Sequence, residues 1–427
     1  MIKLLLGCIA DDFTGAADLA NNLVRAGLRV LQLIGVPERA LDTDADAVVV
    51  TLKSRTIPSK DAIAQSLNAL RWLREQGARQ IYFKYCSTFD STPQGNIGPV
   101  TDALMDAMSG LDGADFAIAT PAFPDNQRTV FKGYLFVGDV LLSESGMQNH
   151  PLTPMTDSNL VRVLQAQSRR KVGLIDYKVV AQGETAICAR ISELRNQGVG
   201  LAIVDAVSND DLMRLGPALK GMPLLTAGSG VAIGLGANFD IAPSTTASAL
   251  PAATGLKAVV SGSCSLATNR QVSAFVESGR PALRIDALQI AKGTNVVEEA
   301  LAWAAPLLGW GPVLVYSTAE SSAVKLVQEK LGVHQTGTML EGALAAISRG
   351  LVELGVRQIV VAGGETAGAC VQALNITQLR IGPQIDPGIP WCYARTHAAP
   401  SVDLHLALKS GNFGTDDFFT KAFSTLT

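Results

Sequence analysis

The sequence is poor in aromatic residues and carries no large excess of either charge. Aromatic side chains make up 5% of the 427 residues, and 35 Lys and Arg stand against 38 Asp and Glu, which gives a formal net charge of −3. Nucleic-acid surfaces rely on basic stripes and stacking aromatics, so this class of protein is not expected. No uninterrupted run of about 18 apolar residues occurs, so no membrane span is predicted.

Clustered cysteines are also lacking. The six cysteines lie far apart and form no CxxC pair, which indicates neither a zinc site nor a disulfide framework. Cys8 and Cys370 lie among aliphatic residues and are interpreted as small core residues. The first apolar stretch is too short for a secretion signal and ends at Asp11 and Asp12. Together these features predict a cytoplasmic protein.

Two nucleotide-binding fingerprints are missing. No GxxxxGK[ST] occurs, so a P-loop enzyme is not expected. No GxGxxG followed by an acidic residue occurs either, which argues against a dinucleotide cofactor.

Short aliphatic runs alternate with helical patterns along the whole chain. Residues 2–10 are predicted to form a buried strand, residues 15–27 a helix, and residues 58–77 a second helix with one apolar stripe. This alternation predicts an α/β protein with doubly wound, mostly parallel sheets. The chain is too long for one ordinary core, so two domains are expected.

The clearest change in composition lies at residues 241–255, which are rich in Ser, Thr, Ala and Pro and carry no charge. We interpret residues 241–256 as a linker between a domain at 1–240 and a second one at 257–427.

The segment ADDFTGA begins where the first predicted strand ends. Ligands of open α/β sheets bind beyond the carboxyl ends of the strands, which is where Asp11 and Asp12 fall. One carboxylate could accept a proton from a substrate hydroxyl while the other orients it. Thr14 and Gly15 open the following helix, so helix capping by Asp12 or Thr14 is an equally weighted alternative.

The loop KYCSTFDSTPQGN, residues 84–96, follows another predicted strand. Lys84 could bind a carboxylate or a phosphate, and Asp90 could bind sugar hydroxyls. Ser87, Gly95 and Asn96 complete the candidate substrate contacts, since glycine lets a backbone approach a ligand closely. A turn-rich surface loop is the alternative.

Three further cations follow predicted strands. Arg55 could clamp a carboxylate with two hydrogen bonds, although a solvated surface position is the more common role of a single arginine. Arg128 and Lys132 are also candidates for an anionic substrate. The surrounding RTVFKGYLFVG could equally form an antiparallel flap.

Three turns rich in Gly and Ser end predicted strands of the second domain: SGSCSLAT (261–268), AGGETAGA (362–369) and LKSGNFG (408–414). If they converge, their N–H groups could bind phosphates. Ser263 and Thr366 would then reach a phosphate or Mg²⁺, and Glu365 a metal or ribose. The similar turn TAGSG (226–230) is attributed to close packing of helix and sheet.

Six motifs occur in this order over nearly the whole chain: ADDFTGA, the K…ST…GNIG loop, TAGSG, SGSCS, GGET and LKSGNFG. Together they resemble the four-carbon acid sugar kinases. Threonate and erythronate kinases carry the shorter loop K-x-D-S-T-x-R-G-N. The loop here is longer and lacks the arginine, which is similar to the 3-oxo-tetronate branch of the family.

The resemblance implies an N-terminal sugar-acid domain and a C-terminal ATP domain facing each other across a cleft. It implies Mg²⁺-dependent transfer of phosphate from ATP to the C4 hydroxyl of a four-carbon acid. It places the nucleotide at the following residues: Ser263, Gly363, Gly364, Glu365, Thr366 and Gly411. Metal ligands and the oligomeric state stay open, a homodimer included.

The resemblance does not identify the catalytic base, for which position alone favours Asp12 with Asp11. The alternatives are a threonate or erythronate kinase, a sugar-acid dehydrogenase or isomerase, and a non-catalytic sugar-acid binding protein.

Overall fold

The structure is a computed structural model, and it describes residues 4–41, 43–90, 92–110, 113–149, 153–319, 332–397 and 401–426. The chain divides into two compact units, Met1–Ser248 and Ala249–Thr427. This division falls inside the predicted linker. Within the described ranges, no helix has the length and apolar character needed to cross a membrane.

The first unit contains a parallel sheet in the order β2-β3-β1-β4-β11-β5-β10-β9. Its strands are β1 Leu6–Ala10, β2 Val30–Ile34, β3 Ala47–Thr51, β4 Gln80–Lys84, β5 Ala117–Thr120, β9 Lys171–Ile175, β10 Val199–Val204 and β11 Leu224–Ala227. Strands β1, β3, β4 and β11 are buried at every residue, as expected where a sheet is covered on both faces.

The helices of this unit alternate with its strands. They are α1 Phe13–Arg25, α2 Ser59–Glu75, α3 Ile97–Met108, α4 Leu160–Gln167, α5 Tyr177–Val180, α6 Glu184–Asn196 and α7 Asn209–Ala218. Three short strands, β6 Arg128–Phe131, β7 Tyr134–Val137 and β8 Val140–Leu141, form a separate antiparallel sheet. The predicted antiparallel flap is therefore confirmed.

The second unit contains a sheet in the order β13-β14-β12-β15-β18-β17-β16. Its strands are β12 Leu256–Ser261, β13 Ala282–Arg284, β14 Val313–Tyr316, β15 Val356–Ala362, β16 Gln378–Asp386, β17 Ile389–Arg395 and β18 Asp403–Lys409. Its helices are α8 Leu266–Glu277, α9 Ala287–Ala291, α10 Val296–Ala304, α11 Val333–Glu353, α12 Gly364–Ala373 and α13 Phe418–Lys421. In this order, each neighbouring pair from β13 to β18 is parallel, whereas β17 pairs antiparallel with both β18 and β16.

The α/β class and the mostly parallel sheets are therefore confirmed. Cys8 and Cys370 are fully buried, as predicted for core residues. Packing also explains the TAGSG turn, because a Cβ on Gly228 would lie 2.9 Å from the Pro121 carbonyl oxygen, and one on Gly230 would collide with the Ala122 carbonyl.

Candidate active site

Asp11 and Asp12 follow directly on β1, at the carboxyl edge of the first sheet. Asp12 is the N-cap of α1: its Oδ1 accepts a hydrogen bond from the Gly15 N–H at 3.0 Å, and its Oδ2 accepts one from the Thr14 hydroxyl at 2.9 Å. The capping role is thus confirmed for Asp12. Such a cap does not occupy every lone pair of a carboxylate, so it leaves room for a second role.

Arg55 holds the two carboxylates together. It follows β3, the parallel neighbour of β1. Its Nε and Nη2 donate to Asp11 Oδ2 and Oδ1 at 2.9 and 2.8 Å, and Nη2 also donates to Asp12 Oδ1 at 2.6 Å. Its side chain is 21% exposed, so the solvated surface position is wrong. Its Nη1 lies 3.9 Å from Asp90 Oδ2.

The two neighbouring aspartates differ in their electrostatics. Burial raises the pKa of the Asp11 carboxyl, although Arg55 opposes this effect. Burial acts on Asp12 as well, but Arg55, Lys84 and the hydrogen bonds from Thr14 and Gly15 outweigh it and hold the pKa of Asp12 below its ordinary value. A carboxyl that remains ionised is available to accept a proton.

Lys84 is the last residue of β4, the other neighbour of β1, and it is 1% exposed. Its Nζ donates to the Tyr85 carbonyl at 2.8 Å, which is its only hydrogen-bond acceptor in the described part of the chain. A Cβ on Gly15 would lie 2.9 Å from this Nζ, so the ammonium lies beside the first turn of α1. Lys84, Asp12 and Asp11 are therefore brought together, as predicted from the strand ends.

The loop after β4 mainly makes hydrogen bonds that hold the cluster of Asp11, Asp12 and Arg55 in place. The Asn96 amide donates to the carbonyls of Ser54 and Ile57 at 2.8 Å each, and to that of Arg55 at 3.2 Å. Asn96 thus fixes the segment that carries Arg55. The Thr88 hydroxyl donates to Asp90 Oδ1 at 2.6 Å.

The remaining loop candidates lie nearby. Ser87 is buried, and Gly95 lies in a turn in which its N–H bonds to the Thr92 carbonyl at 2.7 Å. A small cavity adjoins this loop, and it is lined by Asp11, Ser54, Arg55, Phe83, Asp90, Asn96, Ile97 and Val100.

The two cations of the flap have different environments. Lys132 donates to Asp176 at 2.7 Å on a half-exposed surface. Arg128 is buried, and it is close enough to Cys86, Asp90 and Asp18 to interact with them electrostatically. Of these two, only Arg128 joins the electrostatic environment of the cluster.

Sequence reasoning missed Asp18 in α1. It is 3% exposed, and its Oδ1 has no hydrogen-bond partner among the described residues. Burial raises its pKa to about 7, although Lys84 opposes this. A signal was present in the sequence, since Asp18, Asn21 and Asn22 are polar residues on buried positions of a helical pattern.

The three glycine turns of the second unit do converge. Strands β12, β15 and β18 are neighbours, and Ser263, Gly363 and Gly411 follow their carboxyl ends. A Cβ on Gly411 would collide with the Ser263 hydroxyl, and one on Gly363 would lie 3.2 Å from the Ser263 nitrogen. Gly363 also has φ 115°, a conformation that favours glycine. Both turns therefore lie directly against Ser263.

Helix α12 begins in this cluster. Gly364 is its first residue, and Glu365 and Thr366 belong to its first turn. A Cβ on Gly262 would collide with the Thr366 hydroxyl, which places that hydroxyl against the first turn of the set. The six predicted nucleotide residues therefore form one coherent group. N–H groups of helix starts and glycine turns bind phosphate well.

Comparison with known proteins agrees with this division. Residues 6–235 match the sugar-binding N-terminal domain, and residues 258–419 match the nucleotide-binding C-terminal domain. The chain is 57% identical to the 3-oxo-tetronate kinase of Pseudomonas fluorescens (99% of this chain, 97% of that one) and 46% identical to that of Haemophilus influenzae (98% and 99%).

A crystal structure from Salmonella typhimurium LT2 covers 99% of this chain and 100% of its own, with 42% identity and a TM-score of 0.84. A second one, from Haemophilus influenzae, covers the same shares with 45% identity and a TM-score of 0.75. The chain therefore belongs to the 3-oxo-tetronate kinase family of four-carbon acid sugar kinases, with a sugar-binding domain followed by a nucleotide-binding domain.

Proposed function

We propose that the protein transfers the γ-phosphate of ATP to the C4 hydroxyl of 3-oxo-tetronate and releases the 4-phosphate and ADP. The observation that carries this function is full-length identity of 46–57% to relatives named 3-oxo-tetronate kinase. Two further features support it: a buried acid cluster in the sugar-binding part and a set of converging glycine turns in the nucleotide-binding part. We retain 1–240 and 257–427 as the two domains and 241–256 as their linker.

The sugar acid binds at the carboxyl edge of the first sheet. Three of the Arg55 donors are occupied by Asp11 and Asp12, so Arg55 acts mainly to orient them. Lys84 has one carbonyl acceptor in the described part of the chain and therefore keeps donors for the carboxylate of the acid. Asp90 is placed to accept a hydrogen bond from a hydroxyl of the same ligand.

The chemical step requires one proton acceptor and charge neutralisation. The C4 oxygen attacks the γ-phosphorus, the bond from that phosphorus to the β,γ-bridging oxygen breaks, and ADP leaves. Asp12 accepts the hydroxyl proton, since its carboxyl remains ionised. Asp11 and Arg55 hold Asp12 in place. Alignment of the two reactants supplies most of the remaining rate acceleration.

ATP binds the second unit, where the Gly363 and Gly411 turns lie close against Ser263 and their N–H groups can bind phosphates. In the described part of the chain, no group of three or more His, Cys, Asp or Glu residues could hold a metal. Mg²⁺ nevertheless needs few protein ligands in kinases, because the nucleotide phosphates and waters supply most of them. Mg²⁺ would neutralise charge on the phosphates, and no residue is assigned to it.

The test is a coupled assay of ADP release with ATP and Mg²⁺. We expect turnover with 3-oxo-tetronate at a kcat/KM at least about tenfold above that with threonate or erythronate, a difference of about 1.4 kcal/mol in transition-state binding. A higher kcat/KM with threonate or erythronate would identify the protein as that kinase instead. Tight binding of an acid without turnover of any acid would identify a binding protein. Stabilisation against heat by NADH but not by ATP with Mg²⁺ would favour a dehydrogenase.

A further inference from the structure

Lys409 is a buried lysine at the end of β18 to which neither the sequence nor the family comparison assigns a role. It is 0% exposed. Its Nζ lies 3.0 Å from Thr268 Oγ1, and 2.9, 3.0 and 3.1 Å from the carbonyl oxygens of Ser410, Gly411 and Phe413. The Lys409 nitrogen is therefore surrounded by three carbonyl oxygens of the turn that follows it, residues 410–415, and by one hydroxyl of α8.

A second buried side chain continues this pattern. Gln271 of α8 donates from Nε2 to the carbonyls of Phe413, Gly414 and Thr415 at 3.0, 3.1 and 3.1 Å. The carbonyls of Ser410, Gly411, Phe413, Gly414 and Thr415 are thus all directed towards the interior of the unit. The Gly411 carbonyl also accepts from the hydroxyls of Ser265 and Thr268.

The direction of these carbonyls fixes the direction of the N–H groups. In a planar trans peptide the N–H points opposite to the C=O of the same unit. The carbonyls of Ser410 and Gly411 point at Lys409, so the N–H groups of Gly411 and Asn412 point away from it. Consecutive N–H groups directed to one side form an anion-binding concavity. Gly411 lies beside Ser263, on the side where the other glycine turns meet.

We propose that Lys409 is the positioning residue of the nucleotide site. It binds the carbonyls of the 410–413 turn from the interior and thereby presents the opposite N–H groups to the phosphates of ATP. Burial lowers the pKa of Lys409 to about 7, so its effect on the turn rests on these hydrogen bonds and not on a full positive charge. This inference rests on the proposed function and assigns to Lys409 the ordering of the turn, without contact with the substrate.

The test compares Lys409→Met with Lys292→Met, a matched change at an exposed lysine of the same unit. Loss of hydrogen bonds from a charged donor predicts an ATP KM raised about 10- to 100-fold in Lys409→Met, whereas the KM for 3-oxo-tetronate should stay within about threefold. Isothermal titration with ATP alone should show the same loss of affinity. Lys292→Met should behave as the unchanged protein.

A folded Lys409→Met protein with an unchanged ATP KM would overturn the inference while leaving the kinase function intact. Absence of ADP release by the unchanged protein would instead refute the function. If Lys409→Met does not fold, Thr268→Val decides the matter, because it removes one acceptor of Lys409 and one donor to Gly411. A raised ATP KM in Thr268→Val supports the positioning role, and an unchanged one overturns it.

Discussion

Replacement of Asp12 can separate its two roles, because asparagine and alanine remove different properties. The carboxylate caps α1 through the Gly15 N–H and also accepts from Thr14 and Arg55. Asparagine is a good N-cap, and its carbonyl oxygen can still accept from Gly15 and Arg55. Its amide can donate to the Thr14 hydroxyl, which then changes from donor to acceptor. Asp12→Asn therefore keeps the cap and loses the charge and the basicity.

The expected magnitudes follow from these contacts. Loss of a general base predicts a decrease of about 10²- to 10⁴-fold in kcat for Asp12→Asn. Its free energy of unfolding should fall less than that of Asp12→Ala, since the cap persists and only the charge beside Arg55 and Lys84 is lost. Asp12→Ala loses the cap as well, which should lower the free energy of unfolding by about 1 kcal/mol. Its kcat should fall at least as far as that of Asp12→Asn.

The assay measures kcat and both KM values by ADP release, alongside urea unfolding of each variant. ATP affinity should be unchanged in both variants, because Asp12 belongs to the sugar-binding unit. If Asp12→Asn retains the kcat of the unchanged protein while Asp12→Ala is less stable, Asp12 is a cap alone and the base must be sought elsewhere. The low pKa of Asp12 further predicts that kcat/KM loses no activity through this group between pH 5 and 8.

Three further variants test the surroundings of the two sites. Gly363→Ala should raise the ATP KM about tenfold or more without changing the KM for the acid, because its Cβ would crowd Ser263 and its φ of 115° disfavours alanine; an unchanged ATP KM would remove this turn from the site. Lys84→Met should raise the KM for the acid about 10- to 100-fold through loss of a charged donor, and equal affinity in titration with the acid would contradict this. The pKa of Asp18, about 7, lies above its value in the unfolded chain, so its contribution to stability is complete below about pH 4 and is lost as the pH rises through 7. Asp18→Asn should thus stabilise the fold more at pH 8 than at pH 5, by at most about 3 kcal/mol in urea unfolding; an equal effect at both values would refute the assignment.

The sheets were predictable because aliphatic runs of strand length recur between helical patterns. The hairpin of β16 and β17 was not predicted, and its sequence shows why. Pro383 lies within β16 and Pro390 within β17, and proline argues against a strand when only local sequence is considered. Gly388, with φ 77°, makes the turn between them. Pairing with β18 supplies the stabilisation that a local pattern cannot reveal.

The positions of the site residues could be predicted from the sequence, but their hydrogen-bond partners could not. Strand ends of a parallel sheet lie at one edge, so Asp11, Asp12, Arg55 and Lys84 could be expected near one another. Arg55 binds both aspartates because β1 and β3 are neighbours in the sheet. This pairing brings Arg55 within hydrogen-bond distance of Asp11, which lies 44 positions away in the sequence. Asn96 was predicted to contact substrate, and the structure adds that its amide donors bind three backbone carbonyls, which local sequence could not reveal.

The two buried lysines, Lys84 and Lys409, differ in the number of hydrogen-bond acceptors around them, and this difference supports different roles. Each ends a central strand of its sheet, and a buried ammonium requires hydrogen-bond acceptors or countercharges. Lys409 is surrounded by four oxygens of its own unit, so its donors are used and its effect on a ligand passes through the turn that it orders. Among the described residues, Lys84 donates to one carbonyl, and it interacts electrostatically with nearby carboxylates. An anionic substrate would supply further acceptors to Lys84, and the roles proposed for the two lysines rest on this difference in their acceptors.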